Sequence, residues 1–217
     1  MNGIGQAAGR QGVHRRMGTR QSMARAFRFA TIGLAAALLS SCATLSSPPQ
    51  TFDLVAPSGS PSGRSTTGTQ LLIAEPTAVR TLDSQQIAIQ PTGLTVEYLA
   101  DAQWTDRLPR LVQLRLQQAY QNTGRVGAVG VPGQGLAIDY QIVTEIRRFE
   151  VSLVESAAIV EISVKALNDR TGVVRAAQVF EARVPLTSGG NPAYVLALNE
   201  AFLRATGQIV DWTLRLV

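Results

Sequence analysis

The stretch Val160-Glu-Ile-Ser-Val-Lys-Ala-Leu-Asn-Asp-Arg-Thr-Gly-Val-Val-Arg-Ala-Ala-Gln-Val-Phe-Glu-Ala-Arg-Val184 decides the fold class. Val160, Ile162, Val164 and Ala166 alternate with Glu161, Ser163 and Lys165, which is the period of a strand with one apolar and one polar face. Asn168 to Gly172 is turn chemistry, and Val174, Ala176, Gln178, Phe180, Ala182 and Val184 resume the same period on the way back. Upstream, Leu136, Ile138, Tyr140 and Ile142 alternate with Ala137, Asp139, Gln141 and Val143. Past Arg147-Arg148 the apolar phase moves by one residue to Phe149 and Val151, which predicts a bulge or bend. These three strands form a meander.

Helices flank it. Downstream, Asn191-Pro192 reads as an N-cap followed by proline at the first helical position. Tyr194, Leu198, Ala201, Phe202, Ala205, Ile209 and Trp212 then form one stripe at helical spacing. Upstream, Leu108, Leu111, Val112, Leu116, Ala119 and Tyr120 predict a helix over 105–122. Thr105 is its expected N-cap, Pro109 falls in the first turn, and Gly124 lies beyond the end. Leu71-Leu-Ile-Ala74 and Ile87-Ala-Ile-Gln90 read as short strands, bounded by Pro76 and by Pro91-Thr-Gly93. The order is ββα, then the meander, then α. It implies an α+β domain with a mostly antiparallel sheet and two amphipathic helices packed on one face.

Composition limits what this domain can do. The 217-residue chain carries a formal charge of +5, but the charge is unevenly placed. Six of the 20 Lys and Arg precede Cys42 and none of the 15 Asp and Glu does, so the remainder holds 14 basic against 15 acidic residues. A basic balance confined to the leader gives no footprint for nucleic acid. The one histidine, His14, also lies in that leader, so Ser-His-Asp and Cys-His chemistry and histidine-ligated metals are not expected downstream. No cofactor or metal is expected.

The leader is Arg-rich up to Arg28, then apolar from Phe29 to Leu39, then Ser40-Ser41-Cys42. Eleven apolar residues at about 1.5 Å each span roughly 17 Å, short of the roughly 30 Å of a bilayer core, so the run reads as a signal h-region rather than a membrane span. Met1, Met17 and Met23 are all compatible starts. Leu39-Ser40-Ser41-Cys42 has the form of a lipobox, with Cys42 as the residue to be acylated. The expected organisation is therefore a signal peptide over 1–41, a lipidated N-terminus and Ser/Pro/Gly spacer over 42–69, and a folded domain over 70–217. Within the spacer, Thr51 to Val55 alternates and reads as an edge strand. Such a chain would sit in the cell envelope facing the periplasm, held on a membrane by its lipid.

Site candidates are few. Asp101 with Asp106, and Glu145 with Glu150, are carboxylate pairs of the kind used in hydrolysis, but capping and solvated roles explain them better. Gly124 to Gly135 is Gly-rich but lacks the Gly-Lys-Ser/Thr of a phosphate loop, and reads as a loop with some strand in Val126 to Val131. Arg147-Arg148 offers a cationic pair for lipid headgroups or an acidic partner. Trp104, Tyr120 and Trp212 offer contacts for acyl chains, against a plainer reading as core.

Ala74-Glu75-Pro76, Tyr98-Leu99, Gln103-Trp-Thr-Asp-Arg-Leu-Pro-Arg-Leu-Val112 and Asp139-Tyr-Gln141, in that order after a lipobox, resemble the ABC-type transport auxiliary lipoproteins from about Thr51 to Leu216. The resemblance implies a non-enzymatic lipoprotein working with an ABC transporter permease/ATPase complex and an MCE-type substrate-binding protein to move phospholipid between membranes. It transfers no catalytic residue, only Cys42. Ala43 after the cysteine is not acidic, which favours the outer membrane over the inner. The oligomeric state is open, a homo-oligomer included. The alternative is a stand-alone structural or regulatory envelope lipoprotein acting on cell-wall or outer-membrane assembly, and a periplasmic hydrolase ranks third.

Overall fold

The computed structural model describes residues 48–57 and 68–217. Its elements are β1 (Gln50–Phe52), β2 (Gln70–Ile73), β3 (Thr77–Ala78), β4 (Gln86–Thr92), β5 (Thr95–Trp104), α1 (Leu108–Thr123), β6 (Ala128–Gly130), β7 (Tyr140–Ser152), β8 (Ala157–Asn168), β9 (Val174–Pro185) and α2 (Asn191–Thr213). The strands make one nine-stranded sheet organised around β7. Along one edge of β7 runs β8, antiparallel from Tyr140↔Asn168 to Ser152↔Ala157, and β9 continues the meander. Along the other edge lie β2, β3 and β4 in succession, all parallel to it. β5 pairs antiparallel with β4, while β6 joins β2 and β1 joins β5 in parallel.

The expected mostly antiparallel sheet is therefore corrected to a mixed one. Five of the eight strand pairings among the described residues are parallel. Alternation reveals that a segment is a strand but not which way its neighbour runs, and the parallel pairings here are two or three residues long. Three of them exist because the long β7 offers a whole edge to several short strands.

Inside the meander the sequence reading is met closely. The register passes from Ile146↔Ile162 to Arg148↔Glu161, so Arg147 is the extra residue of a bulge and the buried phase shifts from Ile142 and Ile146 to Phe149 and Val151. The β8–β9 turn closes on Asn168, whose carbonyl accepts the Gly172 N–H at 2.9 Å while Gly172 takes φ 69°.

Helix starts differ from expectation. α1 begins at Leu108 with Arg107, not Thr105, in the N-cap position, and no side chain caps it. The Leu108 N–H instead donates to the Ser84 carbonyl at 3.0 Å, so neighbouring backbone satisfies the first turn. Pro109 sits in that first turn and Gly124 ends the helix at φ 61°. α2 begins one residue early: Gly190 is its N-cap, and the Asn191 side-chain amide turns away to the Ala100 carbonyl at 2.8 Å.

That carbonyl belongs to β5, which, like the two-residue β3, the sequence reading lacked. In β5 the four residues Leu99 to Ala102 face only Ile87 on β4, with Ala88 opposite Tyr98 and Gln86 opposite Gln103. Asp101 adopts φ 55°, a left-handed conformation costing on the order of 1 kcal/mol for a non-glycine residue. The irregularity moves Leu99 and then Ala102 and Trp104 inward, which erases a period of two from the sequence.

The core is one apolar cluster shared by the sheet and both helices. Trp104 packs edge-on to Phe149 at 5.8 Å, and Phe149 contacts Phe202 of α2 at 5.9 Å, all three fully buried. α1 and α2 meet where the buried Tyr120 hydroxyl donates to Thr213 Oγ1 at 2.8 Å. β1 forms the expected edge strand, and the chain after it is fastened to both helices. Asp53 pairs with Arg115 of α1 at 2.6 Å, and the Val55 N–H donates to Asn199 of α2 at 2.8 Å. The Ser/Pro/Gly stretch thus links β1 to β2.

Candidate functional site

Cys42, Leu39, Ser40 and Ser41 lie outside the described residues, so the geometry bears on the remaining candidates. The carboxylate pairs separate into unrelated roles. Asp106 accepts the Arg107 N–H at 2.7 Å in the turn before α1, whereas Asp101 sits on the irregular part of β5. Glu145 and Glu150 flank the bulge of β7, and each faces an arginine. Arg147 reaches Glu145 at 3.2 Å and Glu161 at 3.7 Å, and Arg148 reaches both Glu150 and Glu155 at 2.8 Å. Arg183 of β9 pairs with Glu155 and Glu181. This network of charges lies over Ile159, which is fully buried between Glu150 and Arg183 on the neighbouring strands.

The network changes the meaning of Arg147-Arg148. These guanidiniums are already matched by carboxylates, so they are not free cations awaiting a headgroup. The hydrogen bond from Arg148 holds the Glu155 carboxyl below the usual carboxylate range, with Arg183 adding to the effect. Glu155 is therefore a fixed anion at neutral pH and no proton donor. Glu150, with a side chain only 12% exposed, is the most enclosed acid of the group. Sequence reasoning missed Glu155, because it stands alone in a hairpin turn.

The segments that carry the family resemblance meet in space. Arg107 donates from Nε to Asp83 at 2.8 Å and from Nη1 to Glu75 at 3.2 Å, joining the two quoted segments through one guanidinium. Around it, the Trp104 N–H donates to Gln85, the Thr105 N–H to Phe52, and the buried Gln113 amide to the Ile73 carbonyl at 2.9 Å. Residues 103–113 thus form a joint between β1, β2, the chain entering β4 and α1. Asp139 does similar work elsewhere, accepting the Gln70 N–H at 3.0 Å and pairing with Arg170 at 2.7 Å. The resembling residues hold the fold and do not converge on a reaction centre.

The aromatic candidates are core. Trp104 and Tyr120 are fully buried, and burial pushes the Tyr120 phenol well above its ordinary value despite the opposing bond to Thr213. Trp212 is partly buried with its ring edge-on to Phe180 at 5.6 Å. In the Gly-rich stretch, β6 occupies Ala128–Gly130, and glycine at 127 is required by close backbone approach: a Cβ there would lie 2.9 Å from the Gly68 backbone.

The surface of the described residues also carries open grooves, two of them at the sheet. The larger, about 500 Å³, is lined by Gln178, Phe180, Glu181, Gln208, Asp211 and Arg215 between β9 and α2. The smaller, about 240 Å³, lies over Val143, Glu145, Ser163 and Lys165. Among the described residues no three His, Cys, Asp or Glu gather as a metal site, and no helix is long and apolar enough to cross a membrane.

Comparison with known proteins agrees on the fold and extends beyond it. Residues 51–210 match the family described as the ABC-type transport auxiliary lipoprotein component. An uncharacterized protein of Bradyrhizobium diazoefficiens is 32% identical over 164 residues, which make up 75% of this chain and 44% of that protein, so the chain spans less than half the relative's length. A crystal structure of a Xanthomonas campestris protein superposes with a TM-score of 0.70 at 25% identity, covering 76% of this chain and 95% of the other. An uncharacterized protein of known structure shares the fold at a TM-score of 0.61 and 13% identity, covering 76% and 99%.

Proposed function

The chain belongs to the ABC-type transport auxiliary lipoprotein family, and from that premise we propose that it is a non-enzymatic, lipid-anchored subunit of an envelope lipid-transport system. A signal peptide over 1–41 is removed, Cys42 is acylated, and the domain faces the periplasm from the outer membrane. Its partners are an ABC permease/ATPase complex and an MCE-type protein, and the cargo is phospholipid.

The observation that carries this reading is the family match across nearly the whole folded domain, directly downstream of a complete lipobox. Two or three acyl chains on one cysteine suffice for stable attachment, since each buried methylene contributes about 0.8 kcal/mol. A docking role is also consistent with surface carboxylates paired to arginines and with shallow, open grooves.

Co-purification from native membranes, using a C-terminal tag and Cys42→Ser as control, tests it. Recovery of ABC and MCE-type subunits, falling at least several-fold on loss of Cys42, is the expected result. Recovery of cell-wall enzymes alone would replace this reading with the stand-alone envelope lipoprotein.

A further inference from the structure

Among the exposed apolar side chains of this domain, one group sits at the tips of two hairpins. β4 and β5 are joined by Gly93-Leu94, with Thr92 and Thr95 closing the pair through their hydroxyls at 2.7 Å. Two-residue turns ordinarily carry Asn, Asp or Gly. Here Leu94 is 99% exposed, and Val96 beside it is 47% exposed. The β7–β8 hairpin ends in Leu153 and Val154, the latter 58% exposed.

The two ends are neighbours. β4 and β7 are parallel with Gln90 opposite Ser152, and the Leu153 N–H donates to the Gln90 carbonyl at 2.9 Å. Of the charges at this end, exposed Glu97 stands beside Val96 and Glu155 is matched by Arg148 and Arg183. At the other end of the sheet, exposed Val173 and Val174 stand beside Asp169 and the Arg170–Asp139 pair.

β1 is parallel to β5 with Gln50 opposite Ala102, so the chain preceding Gln50 enters from the side of the Leu94 turn. Seven residues lie between Cys42 and Gln50, and the eight steps from one to the other reach at most roughly 26–29 Å. From Ala102 back to Thr95 is at most about 23 Å along the strand. A lipid on Cys42 can therefore lie level with the hairpin ends, but the tether is too short to hold the domain far from the surface.

We infer that the hairpin ends Gly93-Leu94 and Leu153-Val154 dip into the lipid surface that holds acylated Cys42. The inference rests on the anchor proposed above. A protein partner fits this surface less well, because a stable interface needs about 800 Å² a side and two narrow turns offer little of that. A lipid surface accepts separate apolar protrusions without a matching pocket.

The test uses the full acylated chain in vesicles of phosphatidylethanolamine and phosphatidylglycerol. Cys42 is the only natural cysteine, so with its thiol acylated, Leu94→Cys, Val154→Cys and Val173→Cys each present one reactive thiol for an environment-sensitive fluorophore. Probes at 94 and 154 should brighten at least twofold and be quenched by spin-labelled lipid, while the probe at 173 stays aqueous. An acylated, vesicle-bound chain whose probes at 94 and 154 match the one at 173 overturns the inference and leaves the anchor standing. A mass spectrum without acyl groups on Cys42 overturns both. Shielding of 94 and 154 in native membranes but not in vesicles overturns it too, and assigns the surface to a protein.

Discussion

The meander of β7, β8 and β9 and the region from β1 to α1 are built on opposite plans. The meander consists of strands of 12 or 13 residues joined by tight turns, each paired with its chain neighbour. The region from β1 to α1 consists mostly of strands of two to seven residues that reach β7 or β5 in parallel, with β5 alone as long as ten. Local order therefore suffices to specify the first, while the second depends on docking against a strand far along the chain. The parallel pairings of β2, β3 and β4 with β7 and the buried contact of Trp104 with Phe149 couple the two regions.

The sharpest way to break that coupling is Phe149→Ala. It removes a fully buried ring touching both Trp104 and Phe202 and should cost about 3–5 kcal/mol, read as a lower urea midpoint. Amide exchange should then rise more in β4 and β5 than in β8, because the meander keeps its own pairing. Equal loosening of both regions would contradict the comparison.

Tyr120→Phe probes the helix contact. It leaves the Thr213 hydroxyl buried without its partner, so a loss of about 1–2 kcal/mol is expected at neutral pH. Because the folded phenol titrates above its ordinary value, its contribution is complete below about pH 10 and is lost as pH rises beyond that, by up to about 1.4 kcal/mol per unit. Thermal denaturation from pH 9 to 11 should show a steep alkaline limb in the parent that Tyr120→Phe flattens.

Asn191→Ala removes the bond that holds the irregular β5 to the start of α2, and about 1 kcal/mol or less is expected, since the site is exposed. Amide exchange near Ala100 is the readout that separates this from general loosening. The smallest effect belongs to Glu155. Its folded carboxyl titrates below its ordinary value, so its contribution is present above that value and lost as pH falls through the lowered one. Glu155→Gln should lower stability slightly at pH 7, where that contribution is present, and abolish the acid dependence, and added salt should shrink the pH 7 difference.

The same contrast explains what was legible in the sequence. The bulge at Arg147 could be read because the apolar phase moves by one residue, from Ile146 to Phe149. β5 could not, because the left-handed Asp101 and the unequal register with β4 leave no fixed period to find. Thr105 and Asn191 matched the residue preferences of N-caps, yet backbone groups from the chain before β4 and the glycine at 190 took those places. Arg147-Arg148 could be noted as charge, but Glu155 and Arg183, which match Arg148, come from other parts of the chain.

By itself the sequence determined the meander, the two amphipathic helices, the position of the bulge, the absence of histidine after residue 14 and the family resemblance. All of these rest on periods, residue types or spacings confined to a few neighbouring positions. Only the tertiary structure decided that the sheet is mixed, that residues 103–113 act as a joint, that the arginines are already matched, and that Leu94 and Val154 share one end. Those outcomes depend on which distant segment reaches an open strand edge, and no local pattern encodes that choice.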